Sequence, residues 1–118
     1  MQLELISEEP KENISVKNIP SFKEVINGSI NRCVAWYLIN SYLYYICDLS
    51  VITDTEYDKL CKRLYDEFDS ITHPHKFLVD KDALNCGTAF HLTEDKYPQM
   101  VKNSSKMFYN QYISKKRR

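Results

Sequence analysis

Tyr44, Asp48, Asp54, Tyr57 and Asp58 are the residues whose types and spacing suit chemistry in this chain. Counting along a helix from Asp54 puts Tyr57 and Asp58 at i+3 and i+4, so these three side chains form one patch on a single helical turn. Tyr44 and Asp48 are also four apart and close the helical pattern that comes before. Residues 49–53 suffice for a tight interhelical turn, which brings the two polar ends together at a corner. Tyrosine supplies a ring to pack and a hydroxyl that needs a partner, and the carboxylates supply acceptors. The chemistry such a corner suits is ligand binding; the alternative is a structural corner, since Tyr57 also falls on a core stripe and Asp54 can serve as an N-cap.

The corner needs two helices to hold it. Ser21-Phe-Lys-Glu24 is a capping box directly after Pro20, and apolar residues then recur at Val25, Ile26, Ile30, Cys33, Val34, Tyr37, Leu38, Leu43, Tyr45 and Ile46. This spacing predicts one long helix of about seven turns, with Gly28 as its weak point. Trp36 lies off the stripe and is expected to face a third helix or a partner. Thr53-Asp-Thr-Glu56 is a second capping box, so Thr53 or Asp54 starts a helix with an apolar stripe of Tyr57, Leu60, Cys61, Leu64, Tyr65 and Phe68. The two helices should pack as an antiparallel hairpin over about residues 21–70.

Residues 71–92 read as a loop: Thr72-His-Pro-His75 stops the helix, residues 76–84 have room for a short turn, and Gly87 permits a tight bend. His73, His75, Cys86 and His91 fit no standard zinc spacing. A third helix is predicted over 93–114, beginning after Thr93 with Pro98 in its first turn. Its face would be Tyr97, Met100, Val101, Ser104, Met107, Phe108 and Tyr112. Residues 1–20 read as an extended or loosely ordered coil arm, because Pro10, Pro20 and a charged run oppose a long strand. The expectation is an all-α fold, one helical domain over 21–118 with three helices around one core.

Composition narrows the function. The chain has 118 residues, a length that suits one domain. It holds only two glycines, Gly28 and Gly87, which excludes a Gly-rich phosphate loop and a G-x-G-x-x-G turn. Cys33, Cys47, Cys61 and Cys86 form no C-x-x-C pair and are expected to be buried free thiols in a reducing cytoplasm. No apolar run approaches membrane-spanning length, and the first residues lack a signal-peptide pattern. Formal charge is balanced but uneven. The corner region is acidic, while Lys96, Lys102, Lys106 and the cluster Lys115, Lys116, Arg117 and Arg118 make the tail basic. That cluster is a candidate contact for nucleic acid or an acidic protein, or else a solvated helix end whose cations suit the helix dipole.

The order Tyr42-Leu-Tyr44-Tyr45, then Asp48, then Asp54-Thr-Glu56-Tyr57-Asp58-Lys-Leu60 resembles the N-terminal NMN-binding domain, domain Ia, of bacterial NAD-dependent DNA ligases. The likeness covers roughly residues 30–70 and fades beyond Pro74. It implies a helical hairpin in which Tyr44, Tyr45, Asp54, Tyr57 and Asp58 contact the nicotinamide mononucleotide half of NAD. Several ligases carry His at the position of Tyr45. The cofactor implied is therefore NAD or NMN. An oxidised nicotinamide ring is cationic, so tyrosine faces attract it, and carboxylates accept hydrogen bonds from its amide and from ribose hydroxyls. The same carboxylates repel phosphate, so isolated affinity should be weak.

A ligase also needs a nucleophilic lysine in Lys-x-Asp-Gly, and neither Gly28 nor Gly87 follows such a sequence. An adenylation domain, an OB-fold and DNA-clamping modules exceed this length, so ligase activity is not expected of the chain alone. Three readings follow from the resemblance. The chain is a stand-alone module binding a nicotinamide nucleotide, a trans-acting subunit that completes the adenylation domain of a split ligase, or a phage or mobile-element protein that uses the scaffold to target a host protein or nucleic acid.

Overall fold

The computed structural model describes residues 20–116, with side chains as far as Tyr112. The expected arm, apart from Pro20, and the side chains of Lys115, Lys116, Arg117 and Arg118 lie outside the described residues. Ser21 opens helix α1 (Phe22–Ile26) with the expected capping box: its Oγ accepts from the Glu24 N–H at 3.2 Å, and the Glu24 carboxylate accepts from the Ser21 N–H at 2.8 Å.

The single long helix is not what forms. Asn27 and Gly28 are poor helix formers, and the hydroxyl of Ser29 offers a competing cap, accepting from the Asn31 N–H at 3.1 Å to start helix α2 (Ile30–Ser41). At Gly28 a Cβ would lie 2.9 Å from the Glu24 carbonyl oxygen, so a larger residue would strain this break. Arg63 consolidates it from across the core by donating to the Ile26 carbonyl at 2.8 Å. One of the carbonyls left over at the end of α1 is thereby satisfied.

Helix α2 is the centre of the molecule. Cys33, Val34, Trp36, Tyr37, Leu38, Asn40 and Ser41 are all buried, more than one face of a surface helix would be. Helix α3 (Asp54–Asp66) packs along it through Leu60, Cys61 and Leu64 and gives the expected hairpin.

Residues 71–92 are more than a loop. They contain a 3-10 turn (Lys76–Leu78) and helix α4 (Lys81–Asn85), capped by Asp80, whose carboxylate accepts from the Ala83 N–H at 2.9 Å. Leu78, Val79, Ala83, Leu84, Ala89 and Leu92 are buried in the common core. Asn31 pins the start of the segment with two hydrogen bonds to Thr72, at 2.8 and 3.0 Å.

The third helix begins later than expected. Glu94–Lys96 is a 3-10 turn, and Tyr97 is extended at ψ 127°, the conformation that a following proline imposes. Helix α5 (Gln99–Lys116) then runs past residue 114. Its buried positions are Val101, Ser105 and Phe108, with Tyr109 and Tyr112 packed at the margin. Met100 and Met107 were expected on this face but are exposed, because the face turned to the core follows Val101, Ser105 and Phe108 and leaves them beside it. Trp36 meets this third helix edge to face, its ring centroid 5.0 Å from that of Phe108.

Among the described residues the fold is all-α, a helical hairpin with a third C-terminal helix, and no helix is long and apolar enough to cross a membrane. Phe108→Ala should destabilise the protein by about 3 kcal/mol, the usual cost of emptying a buried aromatic site. Urea denaturation followed through the fluorescence of Trp36, the one tryptophan, will measure it.

Candidate functional site

The corner is built where α2 changes pitch. At Tyr42–Ile46 the chain forms a π-helical turn, and the Cys47 N–H reaches back five residues to the Tyr42 carbonyl at 3.2 Å. Such widened turns displace side chains from the regular helical register. Leu43 stays buried while Tyr44 and Tyr45 face outward, 49% and 42% exposed, with their rings edge to face at 4.9 Å. Asp48 ends the element at φ 59°, and the Leu49 N–H then bonds the Leu43 carbonyl at 2.8 Å. This is a left-handed helix cap with aspartate in the usual glycine position. Val51 anchors the following turn in the core.

Thr53 starts α3: its hydroxyl accepts from the Glu56 N–H at 3.1 Å, and its own N–H donates to the Glu56 carboxylate at 2.9 Å. The capping duty therefore falls on Thr53 and not on Asp54, whose carboxyl is left for the corner. Tyr44, Tyr45, Asp54, Tyr57 and Asp58 all line one cleft of about 300 Å³. Asp48 is not part of the lining.

Tyr57 is both wall and frame. Its hydroxyl shares a hydrogen bond of 2.7 Å with Ser41, and its ring stacks on Tyr37 at 5.8 Å. Tyr37 in turn donates to the Thr88 carbonyl at 2.8 Å, which ties the segment after α4 to the hairpin. That segment delivers Gly87 to the cleft at φ 68°, so close that a Cβ there would sit 2.9 Å from Asp58 Oδ1. A second cleft, of about 420 Å³ and lined in part by Lys62, Tyr65 and Cys86, adjoins the first across Asp58 and Gly87.

Besides the turn residues 49–53, the cleft is lined by Gly87 and Asn40, which were not anticipated as part of the site. Gly87 carried the signal of being one of only two glycines, in a stretch with bend chemistry. Asn40 carried none, being one polar residue inside an apolar pattern. It is buried, and its Nδ2 donates to the Trp36 carbonyl at 2.8 Å.

The cysteines divide. Cys33 and Cys61 are buried as expected, whereas Cys47 and Cys86 are exposed because they fall at the ends of elements and not on their stripes. His73, His75, Cys86 and His91 do not assemble: His75 N–H donates to His73 Nδ1 at 3.0 Å, and His91 Nε2 bonds the Leu78 carbonyl at 2.7 Å. Among the described residues no group of three His, Cys, Asp or Glu side chains is placed to hold a metal ion. Compared with known protein families, curated proteins and solved structures, the chain finds no match.

Burial, reinforced by the Asp58 carboxyl, pushes the Cys61 thiol up to about 12, and burial likewise raises the phenols of Tyr37, Tyr57 and Tyr97 above their usual range. The folded state therefore holds protons that the unfolded chain releases. The associated stability is complete below the ordinary thiol and phenol range and is lost as pH rises through it. The melting temperature should fall steadily on the alkaline side of about pH 9, and the phenolate absorbance of these tyrosines should emerge together with unfolding. At mildly alkaline pH a thiol reagent should modify Cys47 and Cys86 quickly, and Cys33 and Cys61 only on denaturation. Peptide mapping after timed labelling will separate the two pairs.

Proposed function

We propose that this protein is a small module that binds the NMN half of NAD, or a related nicotinamide nucleotide, at the corner cleft, without ligase activity of its own. One observation carries this reading: the five side chains that the ligase resemblance marks as nucleotide contacts line a single cleft. Its size is that of a small-ligand site at the lower end of the usual range. Tyr44 and Tyr45 offer exposed ring surface to a cationic pyridinium, and Asp54 and Asp58 offer acceptors to ribose hydroxyls. Among the described residues no lysine, arginine or histidine lines this cleft to receive a phosphate. Affinity should accordingly be modest. Lys62, in the adjoining cleft, holds only a surface ion pair with Asp66 at 3.3 Å and is free to exchange partners. The same reading makes the protein cytoplasmic.

Calorimetric titration with NMN should give weak but saturable binding. Asp58 is exposed, so Asp58→Ala should leave stability within about 0.5 kcal/mol while lowering affinity about tenfold. Tyr57→Phe keeps the ring, loses the bond to Ser41 and should cost about 1 kcal/mol in stability with a smaller effect on binding. The absence of any saturable response at millimolar NMN would overturn the reading.

The open side of the cleft favours one variant of it. With Tyr44, Tyr45, Asp54 and Asp58 all solvent-exposed, a bound nucleotide would remain accessible to a second protein. A ligase adenylation domain supplied in trans is such a partner. Adding this protein to a ligase deprived of its own NMN-binding hairpin should then restore self-adenylation, read as transfer of labelled AMP from NAD.

A further inference from the structure

The side of helix α3 that brings Asp54 and Asp58 to the corner cleft does not end there. Lys62 and Asp66 continue it at the same spacing of four, and with Tyr65 they line the second cleft, which meets the first at Asp58 and Gly87. Gly87 presents no side chain at this border, where a Cβ would stand 2.9 Å from Asp58 Oδ1. The only side chain on the border is therefore that of Asp58. Along the helix axis Lys62 lies about 6 Å beyond it.

The charge changes along this path. Among the described residues the corner cleft is lined by the carboxyls of Asp54 and Asp58 and by no cation, whereas the second cleft is lined by Lys62. A further ammonium stands at the wall of the second cleft, with Lys81 Nζ 5.0 Å from the centre of the Tyr65 ring. Lys62 is paired with Asp66 at 3.3 Å, and both side chains are exposed, so the pair contributes little and exchanges readily. A phosphate monoester, with about two negative charges and three acceptor oxygens, is a stronger partner for an ammonium than one carboxylate.

We propose that the second cleft is a phosphate subsite with Lys62 as its recognition residue: a nucleotide seated with its ring and ribose at the corner lays its 5′-phosphate across the border onto Lys62 Nζ. This deepens the nicotinamide reading above and rests on it. Asp58 and Asp66 stand one turn to either side of Lys62, so the phosphate is recognised modestly.

Nicotinamide riboside and NMN share ring, amide and ribose and differ only in the phosphate. Calorimetric titration of the full chain at low ionic strength should give NMN an advantage of about fivefold, which shrinks as salt is added because Lys62 is exposed. Lys62→Gln should abolish this advantage by weakening NMN alone, with the riboside unchanged and the circular dichroism spectrum intact. Lys59→Gln removes the same charge from an exposed position of α3 that lines neither cleft, and should preserve the advantage. Equal affinities for the two ligands in the wild type would overturn this proposal and leave the binding reading standing. An advantage that survives Lys62→Gln, or that Lys59→Gln abolishes equally, would overturn the role of Lys62. No binding of either ligand would remove both readings together.

Discussion

Tyr37 is fully buried near the middle of helix α2, and a phenol in that position must have a hydrogen-bond partner. It finds one 51 residues away in the carbonyl of Thr88. An unpaired hydroxyl there would cost about 1–3 kcal/mol, a large part of the stability of a domain this size. Much follows from that single bond. It draws the segment after α4 over the hairpin, sets Gly87 beside Asp58, and places the Tyr37 ring under Tyr57. The wall of the cleft is consequently held by the same groups that close the core.

The cleft and the core share residues here without sharing atoms. Tyr57 gives its hydroxyl to Ser41 and one face to Tyr37, leaving part of its ring for the cleft. Asn40 gives Nδ2 to the helix and keeps Oδ1 uncommitted. Asp54 is relieved of capping by Thr53. Tyr57 is thus fixed by its hydroxyl and Asn40 by its Nδ2, whereas the Asp54 carboxyl is simply left free of the cap.

Local rules made much of this legible in the sequence. The capping boxes at Ser21 and Thr53, the stripe of Leu60, Cys61 and Leu64, and the bend at Gly87 rest on interactions within a few residues. Whatever depended on distant chain was not legible. The break at residues 27–29 competes closely with helix continuation and is settled in part by Arg63 reaching Ile26. Residues 71–92 look like a loop because short helices leave little periodicity, yet their apolar side chains are needed to cover α2. Asn40 could not be singled out, since it is one polar residue inside an apolar helical pattern and its burial depends on elements packed from elsewhere in the chain.

The π turn at Tyr42–Ile46 holds one residue more than a regular turn would. Each residue of an α-helix advances the chain by about 100°. Deleting a single position in this turn would restore an ordinary helix, with its regular bonding, and swing Tyr44 and Tyr45 off the cleft together. The geometry of the corner therefore depends on the length of the chain through this turn as well as on the side chains it carries.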